Sequence, residues 1–103
     1  MKRFDLTQAA KADLKSIARY TGQRWGVQQR NAYLKEMDEL FHVLLQNPLM
    51  GRACDEIRKG YFKFPHRRHV VYYKQADDGL LLVVRILHGA MDVDASVNFP
   101  ADQ

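Results

Sequence analysis

A single arginine, Arg85, interrupts the apolar run Leu80-Leu81-Leu82-Val83-Val84-Arg85-Ile86-Leu87-His88. A guanidinium removed from water needs an anion or several acceptors. Arg85 therefore asks for an internal carboxylate, for which Asp92 and Glu56 are candidates, or for an external partner. His88 closes the run, His66-Arg67-Arg68-His69 forms a compact basic string, and Arg58 lies a short way upstream. Imidazoles titrate near neutrality and guanidiniums stabilise developing negative charge. If His66, His69 and His88 gather near Arg85 and Arg58, these residue types support acid–base cleavage of RNA through the 2′-hydroxyl. Plainer roles are open to each: Arg85 in a salt bridge that pins the strand end, His88 as a hydrogen-bonded strand terminus, and His66 to His69 as a solvated turn. No P-loop, dinucleotide glycine pattern or zinc-ligand spacing is present, so neither a cofactor nor a metal is expected.

The elements that must position these residues follow from periodicity. Phe4 and Leu6 around Asp5 suit a short first strand. Thr7 is a candidate N-cap for an amphipathic helix in which Leu14, Ile17, Ala18 and Trp25 recur on one stripe, and Trp25-Gly26 ends it. A second helix runs from about Val27 to Gln46 on Tyr33, Met37, Leu40, Phe41 and Leu44, with Leu34 and Leu45 widening the stripe, until Asn47-Pro48 stops it. Helices joined this closely must run antiparallel, so residues 7–46 form a helical hairpin. Residues 49–56 read as a loop. Strands follow at Ile57 to Phe64, at His69 to Lys74 and at Leu80 to His88, with turns at Pro65-His66-Arg67 and Asp78-Gly79. Helices followed by strands indicate an α+β domain: the N-terminal hairpin packed on one face of a small, mainly antiparallel sheet of three to four strands. The Leu80 run, being the most apolar, should be the central strand, and Phe4 to Leu6 should lie at an edge or beside it.

The chain has 103 residues, a net charge of +4 and one cysteine, Cys54. That length suits a single domain spanning 1–103, with residues 90–103 as a tail. The lone cysteine and a Met1-Lys2-Arg3-Phe4-Asp5 start without an apolar segment point to a reducing, cytoplasmic setting and no membrane. Lys11, Lys15, Arg19, Arg24 and Arg30 give the hairpin a basic outer surface. The overall excess of cations is mild, and no direct DNA binding by the chain alone is expected.

Strings along nearly the whole chain resemble the ParE branch of the RelE/ParE toxin superfamily. They are Leu6 through Ala12-Asp13-Leu14-Lys15-Ser16-Ile17 to Tyr20 and Trp25-Gly26, then Asn47-Pro48-Leu49-Met50-Gly51-Arg52, Ile57-Arg58-Lys59-Gly60, His69-Val70-Val71-Tyr72-Tyr73 and Val84-Arg85-Ile86-Leu87-His88-Gly89-Ala90-Met91-Asp92. The resemblance implies the toxin of a type II toxin–antitoxin system, held inactive by a ParD-like antitoxin, alone as a homodimer or within a toxin–antitoxin hetero-oligomer. ParE proteins act on DNA gyrase, whereas RelE proteins cleave messenger RNA on the ribosome. The shared fold does not choose between them. RelE-like nucleases carry Lys and Arg on the middle strands and an Arg and a Tyr near the C-terminus. Residues 89–103 hold no Arg, Lys or Tyr, which favours a non-catalytic gyrase inhibitor over an endoribonuclease using Arg58, Arg85, His88 and His69.

Two surfaces are then expected. Strict alternation puts Leu81, Val83, Arg85 and Leu87 on one sheet face, opposite Leu80, Leu82, Val84, Ile86 and His88. The hairpin can cover only one face. Leu81, Val83 and Leu87 should therefore receive an antitoxin segment, with Trp25 joining them if it is exposed rather than packed at the hairpin tip; the alternative cover is the chain's own tail through Met91, Val93, Val97 and Phe99. Arg58, Arg85, His88, Met91 and Asp92 should contact the target, with Arg85 and His88 marking the end of a groove opposite the hairpin.

Overall fold

A computed structural model describes residues 2–89 and Phe99. The elements are β1 (Arg3–Leu6), α1 (Gln8–Trp25), α2 (Val27–Gln46), β2 (Arg52–Ala53), β3 (Tyr61–His66), β4 (His69–Gln75) and β5 (Leu80–His88). The Thr7 hydroxyl caps α1 by accepting the Ala10 N–H at 3.1 Å, as its position before the helical stripe predicts. One residue, Gly26, joins the two helices. Its φ of +93° lets it close α1 and open α2 at once, a backbone that a side chain would strain. Its N–H donates to Gly22 O and its carbonyl accepts from Arg30 N, both at 3.0 Å.

The sheet has five strands in the order β1-β5-β4-β3-β2, antiparallel except for the parallel β1–β5 pair. The expected architecture is present with one further strand, β2, in the region read as loop. Strand β5 is interior, but the middle of the sheet is β4. Residues 57–60 are turn rather than strand. Pro65 lies inside β3, and the hairpin turns one step later at Arg67-Arg68, with Arg67 at φ +54°.

Two apolar clusters sandwich the sheet. Ala10, Ile17, Met37, Phe41 and Leu44 of the helices pack on Val71, Tyr73, Leu81, Val83 and Ile86. On the other face, Tyr72, Leu82, Val84 and Leu87 pack with Cys54, Ile57, Tyr61 and Phe99. Phe99 is buried edge-on against Tyr61 and Tyr72, with ring centroids 5.5 and 5.4 Å away. The chain's own Phe99 thus covers part of this face. The expected contributions of Met91, Val93 and Val97 lie outside the described residues.

These clusters correct the face assignment along β5. Opposite β4, Tyr73 pairs with Val83 and Tyr72 with Arg85, so Val84 is an extra residue. Such a bulge breaks the two-residue side-chain period. Leu81 and Val83 face the hairpin, Leu82 and Val84 face away, and beyond the bulge Ile86 faces the hairpin while Leu87 faces away. Thr7 serves the irregularity, its hydroxyl donating to the Val84 carbonyl at 2.8 Å.

Candidate functional site

The carboxylate that answers Arg85 is Asp13 on α1. Arg85 Nε donates to Asp13 Oδ2 at 2.7 Å and Nη2 to Oδ1 at 2.9 Å, while the Ile86 N–H also donates to Oδ2 at 2.9 Å. The reason is local. Strand β1 pairs with β5 only as far as Val83, and beyond it Asp13 takes up both a backbone donor and the Arg85 guanidinium on the side of β5 that β1 leaves unpaired. The side chains are 19% and 15% exposed, so the pair is shielded from solvent. Pairing with Asp13 holds the Arg85 guanidinium more firmly protonated than usual. The expected partner Glu56 is exposed in the turn between β2 and β3, and Asp92 lies outside the described residues. Arg85 consequently packs against the hairpin and does not mark a groove opposite it.

The other expected residues separate. Arg58 is exposed in the turn before β3, not on a strand beside Arg85. Leu81 and Val83, at 2% and 0% exposure, lie beneath the hairpin, so the face proposed for an antitoxin segment does not present them; Leu87 is buried on the opposite face. Met91 and Asp92 lie outside the described residues.

Trp25, His69 and His88 do come together. They line a cleft of about 630 Å³ between the tip of the helical hairpin and the ends of β4 and β5. The helical wall is Ser16, Ile17, Tyr20, Thr21, Trp25 and Gln29; Arg67 and Arg68 of the β3–β4 turn form the opposite rim. Tyr33 of α2 forms the floor. Its hydroxyl lies 2.6 Å from His69 Nδ1 and 3.3 Å from the His66 carbonyl. The His69 ring meets the His88 ring edge-on with centroids 5.5 Å apart. His66 packs on Tyr33 with its Nε2 buried, 3.9 Å from Glu36 Oε1. Glu36 itself accepts from Arg67 Nε at 2.6 Å and from Nη2 at 2.9 Å.

Electrostatics follow from this packing. Burial, joined by the positive potential of His88, His66 and Arg68, pushes the His69 imidazole below its ordinary value. Burial lowers His66 as well and raises the Tyr33 phenol. The hydrogen bonds from Arg67 hold the Glu36 carboxyl below the usual carboxylate range. The cleft thus offers imidazole, phenol and guanidinium, a set suited to holding an anion beside an apolar group. Among the described residues no group of three or more His, Cys, Asp or Glu could hold a metal ion.

Sequence reasoning missed Asp13, Tyr33, Glu36 and Tyr20. Asp13 carried a signal, being the only acid in α1 on an otherwise basic helix. Tyr33 sits on the apolar stripe and looks like any core aromatic. A second, apolar groove of about 460 Å³ lies between β1 and the hairpin, over Phe4, Leu6, Leu14, Met37 and Phe41.

A family model described as the ParE toxin of type II toxin-antitoxin system, parDE, matches residues 4–93. The chain belongs to this ParE toxin family. It is 43% identical over 95 residues to the toxin ParE1 of Mycobacterium tuberculosis, covering 92% of this chain and 97% of that one. Identity to the toxin ParE1 of Caulobacter vibrioides is 35% over 96 residues, with the same coverage. A solved chain from the chromosomal ParDE TA system of P. aeruginosa superposes with a TM-score of 0.72 at 17% identity, over 85% of this chain and 96% of its own. The chain is a ParE toxin of a type II toxin–antitoxin system, and the ParE architecture of a helical hairpin on a mostly antiparallel sheet is the one found. None of its described helices is long and apolar enough to cross a membrane.

Proposed function

We propose that this ParE-family toxin inhibits DNA gyrase by binding it in the cytoplasm, without itself catalysing a reaction, and that a ParD-like antitoxin neutralises it. The observation that carries the reading is the state of Arg85. The nuclease alternative would use Arg85 to stabilise charge developing on a phosphate, and this guanidinium is bidentate on Asp13. Residues 89–103 supply no Arg, Lys or Tyr to replace it. The likeness to a chain of a ParDE system supports the antitoxin half of the proposal.

Purified toxin should block gyrase supercoiling or trap cleaved DNA at near-stoichiometric ratios, and should co-purify with the product of a short reading frame adjoining its gene. Unimpaired gyrase in excess toxin would sink the gyrase reading. One observation favours a second reading, an mRNA endoribonuclease on the ribosome: His66 and His69 flank Tyr33 within hydrogen-bonding and ring-contact range. Its signature is rapid, codon-linked mRNA cleavage after induction. Growth arrest without such cuts removes it.

A further inference from the structure

The cleft at the hairpin tip leaves two large aromatic residues in water at one place. Tyr20 is 56% and Trp25 51% exposed, although a stripe position would have buried Trp25 had the hairpin tip packed on the sheet. Above Trp25 lie the guanidiniums of Arg24 and Arg68, 5.4 and 5.7 Å from the ring centroid. Tyr, Trp and Arg are the residue types on which binding energy concentrates in protein interfaces.

The charge is one-sided. Among the described residues no Asp or Glu lines the cleft. Glu36 answers Arg67, whereas Arg68 has no carboxylate partner among the described residues. The turn that presents both arginines holds Arg67 at φ +54°, where Gly or Asn would sit with less strain. Non-glycine residues in such a conformation persist where the surroundings hold them and are common at binding sites.

We propose that this cleft docks the toxin's protein target, and that the docked piece is an acidic segment carrying one aromatic or branched apolar side chain. The apolar side chain seats against Ile17, Tyr20 and Trp25, and the carboxylates face Arg68, Arg24 and the imidazoles of His69 and His88. Charge complementarity selects an acidic occupant. A nucleic acid fits less well, because backbone binding draws on many cations at once, and of the two lining arginines one is already matched by Glu36. The proposal rests on the gyrase reading and locates it on the molecule.

The test uses the full-length toxin with intact gyrase. Tyr20→Ser and Arg68→Gln alter exposed or rim groups, and circular dichroism should show unchanged melting. Arg52→Gln, an exposed change on the edge strand β2, is the control. Each cleft variant should weaken gyrase binding and raise the inhibitory concentration at least about tenfold, with the control within about twofold. If the wild type inhibits gyrase and both cleft variants match it, the target docks elsewhere and the gyrase reading survives alone. If the wild type does not inhibit gyrase, both fall. Loss of antitoxin binding only would reassign the cleft to the antitoxin and overturn the proposal. Quenching of Trp25, the sole tryptophan, by a thymidine oligonucleotide, abolished in Arg68→Gln with gyrase binding intact, would overturn it in favour of a nucleic-acid site.

Discussion

Arg85 shows how one residue's role depends on its partner. In isolation it is an unexplained cation in an apolar strand, and its value to function or stability turns on which carboxylate reaches it. Asp13 does so with two parallel hydrogen bonds in a mostly buried setting. Removing one member of such a pair leaves the other charge without its partner, which costs more than deleting both. Arg85→Ala should therefore destabilise the fold by about 3 kcal/mol, with Asp13→Ala similar and the double variant closer to wild type than the sum of the two. Urea unfolding of the four proteins measures this; strictly additive losses would mean that the pair is not coupled. Weakened toxicity of Arg85→Ala then follows from lost fold, and a toxicity assay of this variant needs its stability beside it.

At the scale of elements, the connection from α2 into the sheet depends on a close approach that only glycine permits. A Cβ on Gly51 would lie 2.4 Å from the Tyr73 hydroxyl and 2.9 Å from the Lys63 carbonyl. That hydroxyl accepts from the Gly51 N–H and donates to the Pro48 carbonyl, each at 2.9 Å. It thereby fastens the loop after α2 to the middle of β4. Gly51→Ala must displace the phenol and break both bonds, at about 2–3 kcal/mol. Guanidinium unfolding should show this loss. Tyr73→Phe in the same chain should recover part of it, because the closest clash disappears with the oxygen; a fully additive double variant would place the strain elsewhere. The string Asn47 to Arg52, which carried part of the family resemblance, thus has a packing reason for its glycine.

At the scale of the whole molecule, the sheet is buried on both faces, but the covers differ in kind. The hairpin covers one face with two long helices. The other relies on the turn residues Cys54 and Ile57, on Tyr61 and on Phe99, which lies eleven residues beyond the end of β5. Phe99 is 3% exposed and meets two tyrosine rings. Phe99→Ala should cost about 3 kcal/mol through lost burial and an unfilled cavity. Leu49→Ala, at a position 70% exposed, should change stability by no more than about 0.5 kcal/mol. Thermal melts of the two distinguish a cover that is part of the core from an incidental contact. Equal effects would mean the second.

What residues 2–89 settle by themselves is local: the Thr7 cap, the helices that begin and end near Gln8, Gly26 and Asn47, the aromatic strand from His69, and the order of elements on which the ParE resemblance rests. Each depends on partners a few residues away, which periodicity and capping chemistry report directly. The tertiary structure decided the rest. Strict alternation grouped the β5 residues correctly only up to the bulge at Val84, because a bulge is a property of the β4–β5 register and leaves no mark in one strand's composition. Which group the hairpin covers, Leu81 and Val83 rather than Leu82 and Val84, was decided by packing. Asp13 and Arg85 are 72 residues apart, and the histidine ring pairs form only when β4 and β5 end side by side over Tyr33. Placing Trp25 in the same cleft required the angle at Gly26 and the docking of the hairpin on the sheet. Those are long-range packing outcomes, which is why the types of the site residues were legible in the chain and their grouping was not.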